Sequence, residues 1–474
     1  MASINSAFNV IAGALEADQS ALNIVANNVA NSNTEGYTRQ VPNWLENAPV
    51  QINGIGYGTG VTETGPISVR DRVLEERLAQ QQQAASASSA RLGALNSIQS
   101  LFAPVSGSAS STGGDIGSDI TSFFNSFSAL EANPTDSALR DQVLSAARTL
   151  SSDISNAAAS LSAQGTSLDE EADSITSQVN SLSAAIAQLN VEIQANSPDS
   201  DAGVLEDERQ LDLGKLSQLV GINEITTEDN GISITTTSGE MLVSQGSSYE
   251  LTTGTENGVT HFFVGTKDIT SSLAFGEGQL GGLITARDED IPQVLVELDQ
   301  LAYDISTQVN SLNNSGSDLN GNTGTVAAPL YIFNQPTSVA GSALNMSVVM
   351  TDPSQIAAAG SGQGSGDNSN ARAMAALAAQ SIVGGLTPSG FYSNFVTALG
   401  ATVEQVQSEN AAENASVTQL QTARNTLSSV NLNDEASFMQ QFERSYQAAS
   451  KVFAILNTIM ASAINLGVET AVSA

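Results

Sequence analysis

Residues 3–31 read SINSAFNVIAGALEADQSALNIVANNVAN, and their spacing decides the fold. Ile4, Phe8, Ile11, Leu15, Asp18, Leu22, Val25 and Val29 recur by alternating steps of four and three. That is the period of a helix with one coiled-coil seam, interrupted once by Asp18. Ala7, Ala14 and Ala21 form a small-residue stripe beside it. Asn33 to Gly36 ends the helix: Asn side chains offer the backbone local hydrogen bonds, and Gly permits a positive φ.

The other end of the chain mirrors this pattern. Phe438, Phe442, Ser445, Ala449, Val452, Leu456, Ile459, Ala463 and Leu466 follow the same steps. Met439, Tyr446, Phe453 and Met460 widen the apolar face. Asn433 or Asp434 is placed to cap the helix, which then runs about 50 Å to Leu466 at about 1.5 Å per residue. Two apolar seams left in water are a liability, so the ends are expected to pair with each other or with neighbouring subunits.

Between the ends, residues 37–69 read as short strands and turns around Gly54, Gly56, Gly58 and Gly60. A polar helix is expected over 70–102 and a Ser/Gly linker over 105–114. Helices at 115–131 and 135–164 are divided by Asn133-Pro134-Thr135-Asp136, with Thr135 or Asp136 as the cap of the second. Two more are expected at 167–195 and 204–219. Over 222–275, Thr, Val, Ile and Phe alternate with polar residues, and Asn230-Gly231, Ser238-Gly239 and Asn257-Gly258 mark turns; this is a small antiparallel β domain. A helix returns at 287–313. Turns and short strands (330–333, 344–350) and a Gly/Ser linker at 360–366 precede helices at 368–383 and 388–428.

Composition restricts function. The chain has 474 residues, with 15 Lys+Arg against 49 Asp+Glu and a formal net charge of −34. Such a polyanion repels phosphate backbones and anionic lipid heads, so neither nucleic acid nor a membrane surface is an expected partner. No cysteine is present, which removes disulfides, thiolate zinc sites and thiol catalysis. Met1-Ala2-Ser3-Ile4-Asn5 has neither a basic nor an apolar leader region, so no cleavable secretory signal is expected. No unbroken run of about 18 apolar residues suggests a membrane-spanning helix.

No catalytic constellation stands out, and no cofactor or metal is expected. The single histidine, His261, lies in a strand and reads as an ordinary sheet residue. Glu170-Glu171 and Glu206/Asp207/Glu208 read as solvated helix faces. Gly54-Ile55-Gly56-Tyr57-Gly58-Thr59-Gly60 imitates a phosphate loop, but no helix follows and no Lys-Ser/Thr closes it. Asp318-Leu319-Asn320-Gly321-Asn322 imitates the start of a calcium loop, but Thr323 stands at the turn Gly and Pro329 at the bidentate Glu.

Two strings are more specific. Ala26-Asn27-Asn28-Val29-Ala30-Asn31-Ser32-Asn33-Thr34-Glu35-Gly36-Tyr37-Thr38-Arg39-Gln40 resembles the N-terminal signature of the flagellar rod, hook and hook-associated proteins. Within it, Asn27, Asn28, Asn31, Asn33, Thr34, Gly36, Tyr37, Arg39 and Gln40 carry the likeness. Val430-Asn431-Leu432-Asn433-Asp434-Glu435-Ala436, then Gln441 and Tyr446-Gln447-Ala448-Ala449, resembles the C-terminal signature of the same family. Arg70-Asp71-Arg72-Val73-Leu74, Phe123-Phe124-Asn125-Ser126-Phe127, Asn133-Pro134-Thr135-Asp136 with Arg140, Gly278-Gln279-Leu280-Gly281-Gly282-Leu283-Ile284 and Leu298-Asp299-Gln300-Leu301-Ala302 are similar to its hook-associated members.

The expected fold is mainly α. Residues 1–35 plus 434–474 form an inner terminal coiled coil. Residues 36–220, 285–328 and 367–433 form a helical bundle, and 221–284 plus 329–366 an outer β-rich domain. The resemblance implies a non-catalytic subunit exported through the flagellar type III apparatus to the outside of the cell. It implies assembly with copies of itself at the hook tip, contact with the hook protein and the adjacent junction protein, and an export chaperone on the C-terminal helix. The assembly interface is expected at Ile4, Phe8, Ile11, Leu15, Leu22, Val25 and Val29 with Phe438, Phe442, Val452, Leu456, Ile459 and Leu466. The competing readings are a hook or filament subunit, a secreted enzyme on an axial scaffold, and a secreted effector or adhesin.

Overall fold

The computed structural model describes residues 2–52, 54–102, 115–197, 201–228, 230–256, 258–274 and 277–472. The 105–114 linker and Asn257 lie outside them, as do the side chains of Ile4 and Leu466. The described chain is mainly helical. The N-terminal helix α1 is Ala2–Ala30. Four strands follow: β1 Gln40–Glu46, β2 Val50–Ile52, β3 Ile55–Tyr57 and β4 Val61–Ser68. β1 pairs antiparallel with β4, and β2 with β3 at the tip. This hairpin lies along α1. Gly13 gives it room, because a Cβ there would stand 3.0 Å from the Val61 carbonyl oxygen. Val10, Gly13 and Ser20 of α1 face it, and Ala17, Ala21, Ile24 and Val25 are the buried apolar residues of the helix.

The helical body begins with α2, Arg72–Ser100, capped by Asp71, whose carboxylate accepts from the Val73 and Leu74 amides. Next come α3, Ile116–Ala132, and α4, Ser137–Asn196. Asp136 is the α4 cap. Of the two caps the sequence allows, its carboxylate is the one that accepts from the second and third amides of the helix. The break expected near 165 does not occur: α4 is one helix of 60 residues, about 90 Å long. Gly165 disfavours helix by only about 1 kcal/mol, and burial of Leu161, Leu168 and Ala172 on one face carries the helix through. Gly165→Ala should therefore stabilise the chain by up to about 1 kcal/mol, since its new Cβ meets nothing closer than Ile291 Cδ1 at 4.0 Å. A raised thermal midpoint checks this; a lowered one would mean that the helix needs the glycine.

After α5, Val204–Leu219, the β insertion forms two sheets. β5 Ile222–Thr226, β6 Ile232–Thr236, β7 Met241–Ser244 and β8 Ser247–Ser248 run in sequence order. β9 Leu251–Glu256, β10 Val259–Val264 and β11 Lys267–Asp268 form a second antiparallel sheet with β10 central. α6 is Thr270–Ala274. The helical return starts earlier than 287, as α7 Gly278–Thr285, and reaches α8 Ile291–Ser315 through a π turn at Ala286–Asp290. The strands expected at 330–333 and 344–350 reduce to one isolated bridge, Phe333 to Val348, and α9 Ser342–Asn345 occupies part of the second. Asp299 dictates this, accepting from the Gly341 and Ala343 amides at 2.8 and 2.7 Å. α10 Ser369–Ala376 ends in a 3-10 turn through Ala379; α11 Pro388–Ser428 and α12 Leu432–Val472 close the chain.

Asparagines, most of them buried, fasten the non-helical segments to this body. Asn180 of α4 exchanges both amide bonds with Leu251, each at 2.8 Å. Asn190 of α4 does the same with Ile232, at 2.8 and 3.2 Å. Asn310 of α8 holds Ile332 and Phe333, and Asn313 holds Leu330 and Ala357. A side-chain amide replaces a neighbouring strand here, satisfying peptide groups that would otherwise be buried unpaired. The β insertion thus sits on the second half of α4. Residues 329–357 sit on α8 and on the start of α4, where the Arg140 guanidinium bonds the Pro134 and Ile356 carbonyls.

Candidate assembly site

The N-terminal signature folds by answering its own polar groups. Asn31 closes the last turn of α1 by donating to the Asn27 carbonyl at 3.1 Å, and the Thr34 hydroxyl donates to Asn31 Oδ1 at 3.2 Å. Gly36 takes the left-handed conformation the turn requires, φ +80°. Asn27, Asn33 and Thr34 stay exposed, whereas Asn28, Tyr37 and Gln40 are buried.

Asn28 is the centre. Its Oδ1 accepts from the Tyr37 hydroxyl at 2.8 Å and the Gln40 amide at 3.0 Å. Its Nδ2 donates to the Gln40 carbonyl at 2.8 Å and to Glu435 Oε2 at 3.1 Å. Glu435, 1% exposed, also receives Arg39 Nε at 2.7 Å. The Arg39 guanidinium lies 5.3 Å from the Phe438 ring centroid, and its backbone amide donates to the Ser428 carbonyl at 2.9 Å. The two signatures therefore meet in one buried latch between α1, the turn after it and the start of α12.

A second ion group supports the latch. The Thr38 amide donates to Asp207 Oδ2 at 2.9 Å, and Arg70 clamps Asp207 and Glu206. The reading of Glu206 and Asp207 as a solvated face is thus corrected: both are buried, and only Glu208 is exposed. Burial pushes the Asp207 carboxyl up, opposed by Thr38 and Arg70. Burial, then the charges of Asp207 and Glu435, push the Tyr37 hydroxyl up to about 12, so it remains a donor throughout the physiological range. The α12 cap is also corrected. Asn431, not Asn433 or Asp434, accepts from the Asn433 amide at 3.0 Å, so the helix starts two residues early.

Above the latch, α1 and α12 lie antiparallel. Phe8 meets Phe453 edge to face at 5.2 Å between centroids, and Trp44 of β1 meets Phe442 at 5.9 Å. Phe8, Ile11, Leu15 and Leu22 are half-buried and Val25 is buried; Val29 is exposed. On α12, Phe438, Phe442 and Leu456 are half-buried, together with Phe453 and Met460. Val452 and Ile459 are exposed, 42% and 48%, in one row with Ile455 at 59%. The monomer therefore covers one side of the α12 apolar face and leaves the other open. Asp18, the interruption in the seam, is buried with Oδ2 lacking a hydrogen-bond partner.

The Asp318 carboxylate accepts from the Asn320 and Asn322 amides and from the Asn322 side chain, so it closes an Asn/Gly turn. Glu170 and Glu171 are exposed. Gly54 and Gly60 bound the β2–β3 tip with positive φ. The helical stretch Pro388–Ile464 does contain a window of mean hydropathy 1.2, long and apolar enough to cross a membrane by length and composition. Its apolarity is spread over Ala, Ile and Leu rather than one unbroken run, and part of that face is covered by α1.

Two family profiles match the chain: "Flagella basal body rod protein" over residues 8–38, and "Flagellar hook-associated protein FlgK helical domain" over 95–326. The terminal latch and the helical body are thus similar to parts of flagellar axial proteins. Among curated proteins the chain is similar to flagellar hook-associated protein 1. It is 24% identical to the Escherichia coli K12 protein of that name over 98% of this chain and 100% of that one. It is 26% identical to the Bacillus subtilis one over 95% and 96%. The Salmonella typhimurium protein is 26% identical over 75% of this chain, a match spanning 65% of the Salmonella protein's length. Among solved structures, the flagellar hook junction protein FlgK from Burkholderia pseudomallei superposes with a TM-score of 0.65 at 18% identity, over 75% of this chain and all of that one. That likeness is one of fold.

Proposed function

We propose that the chain is a non-catalytic structural subunit that assembles at the tip of the flagellar hook and joins hook to filament. The observation that carries this reading is the Asn28–Glu435 latch, which holds both terminal helices side by side and presents Val452, Ile455 and Ile459 as an uncovered apolar row. Neighbouring copies bury that row in the assembled ring, so that the α1 and α12 seams become its inner layer. The body of α2–α5, α8 and α11 surrounds that layer, and the β insertion faces outward. Its partners are further copies of itself, the hook protein and the adjacent junction protein. Before assembly the α12 row is the surface an export chaperone covers. The site of action is the flagellum outside the cell.

Reconstitution tests this reading. Isolated hooks lacking junction proteins are mixed with the chain, then with the other junction protein and filament subunits, and viewed by electron microscopy. Filaments growing only in its presence are expected. Long filaments of the chain alone would make it a filament subunit, and failure to bind hooks would favour a free secreted effector. Leu22→Asp and Leu456→Asp each put a charge into the half-buried α1–α12 seam. Both should abolish hook binding while leaving the helical body folded by circular dichroism; unchanged assembly would sink the seam mechanism.

A further inference from the structure

His261, the only histidine of the chain, lies on β10, the central strand of the second sheet. Val259 pairs with Glu256 on one side of β10, and Phe263 with Asp268 on the other. Alternate residues of a strand share a face, so Glu256, His261 and Asp268 project from the same side of three adjacent strands. Gly254 opposes His261 and places no side chain there. The potential ligand atoms of the three residues all lie within 4.8 Å of one another. His261 Nδ1 is 2.7 Å from Asp268 Oδ2. The other Asp268 oxygen is fixed by the Thr270 amide at 2.8 Å and hydroxyl at 2.6 Å, which aims Oδ2 at the histidine. The nearby cation Lys267 is drawn away to Glu240.

We propose that Glu256, His261 and Asp268 bind one divalent transition-metal ion of the Zn²⁺ type. One imidazole with two carboxylates is a donor set for borderline ions; calcium and magnesium take all-oxygen sets. Bond lengths of about 2.0–2.2 Å demand closer ligand spacing than the outer limit seen here, a difference that side-chain rotation closes. The ion takes Nδ1 in place of its contact with Asp268, and the ring proton resides on Nε2. Exposure of Glu256 and Asp268 leaves a coordination position for water. Thr270 is the positioning residue, as partners of ligands commonly are. The bound ion ties β11, which has only two paired residues, to β9 and β10.

A single histidine makes the test direct. The full-length chain, labelled with ¹⁵N-histidine and stripped with EDTA, is titrated with ZnCl₂ while its imidazole resonances are followed. One equivalent of Zn²⁺ should move them to saturation. By calorimetry, His261→Ala and Asp268→Asn should each weaken binding about 10-fold or more, and Thr270→Val about 10-fold, with unchanged far-ultraviolet circular dichroism. Excess Ca²⁺ should not displace the zinc. Imidazole signals that stay still in excess Zn²⁺ would overturn the site. So would equal affinity of His261→Ala, or displacement by Ca²⁺, which would mark condensation on a polyanionic surface. If a substitution disturbs the sheet, the wild-type imidazole resonances still decide.

Discussion

Glu435→Ala should undock the C-terminal helix from the N-terminal one, at a cost of about 3 kcal/mol. Glu435 is buried and holds two partners, Arg39 at 2.7 Å and Asn28 at 3.1 Å. Breaking a buried ion pair typically costs about 3–5 kcal/mol because it strands the remaining charge. The Arg39 side chain is 23% exposed and recovers some water, which places the effect at the low end. Asn28 Nδ2 keeps its bond to the Gln40 carbonyl, so the amide is not wholly orphaned. Glu435→Gln preserves size and one hydrogen bond and should lose less. Hydrogen exchange along α12 reads the effect, and so does the near-ultraviolet signal of Trp44, the single tryptophan, packed on Phe442. Equal protection of α12 in wild type and Glu435→Ala would mean that the seam alone holds the helices together.

Gly282→Ala should be comparably damaging for a different reason. A Cβ on Gly282 would stand 2.1 Å from the Ala87 carbonyl oxygen and 2.9 Å from its carbon. Those are backbone atoms of α2 and cannot rotate aside, so α2 and α7 must separate. Overpacking a tight core contact costs about 1–3 kcal/mol and sometimes more; with a backbone obstacle about 3 kcal/mol is expected. The denaturant midpoint should fall, with the loss borne by the helical body while the α1–α12 pairing persists by Trp44. A midpoint within error of wild type would show that the two helices can slide.

The helices were legible because their periodicity, caps and breakers agree. Asp71, Asp136 and Gly36 act as their residue types predict. Gly165 misled because one glycine weighs little against burial on either side of it. The apolar face of α12 was legible, but its spacing does not say which row α1 covers: Phe453 and Met460 are half-buried, while Val452 and Ile459 stay exposed. The latch was half visible. Asn28, Tyr37 and Arg39 stand out in the sequence, but Glu435 is 407 residues from Asn28, and Asp207 is 169 from Thr38. The C-terminal signature string contains Glu435 without pointing to its partner, and no local signal distinguishes Asp207 from a solvated carboxylate. The same holds for Asn180, Asn190, Asn310 and Asn313, which read as ordinary polar residues until the segments they hold are in place.

The distance along the chain between the two halves of the latch also orders its folding. Closing a loop of several hundred residues is entropically unfavourable before other contacts reward it. The body removes most of that penalty. Arg424 of α11 bonds Glu75 of α2 at 3.0 Å, and Asn410 bonds the Ala85 carbonyl at 3.2 Å. The Arg39 amide bonds the Ser428 carbonyl at the end of α11, which ties the segment after α1 to that body. Glu435 is then close along the chain to the Ser428 end of α11, while Asn28 is joined to α2 through the β1–β4 hairpin. The ends are therefore expected to close last and to open first, so that the body would stand as a finished scaffold before the terminal helices take their partners.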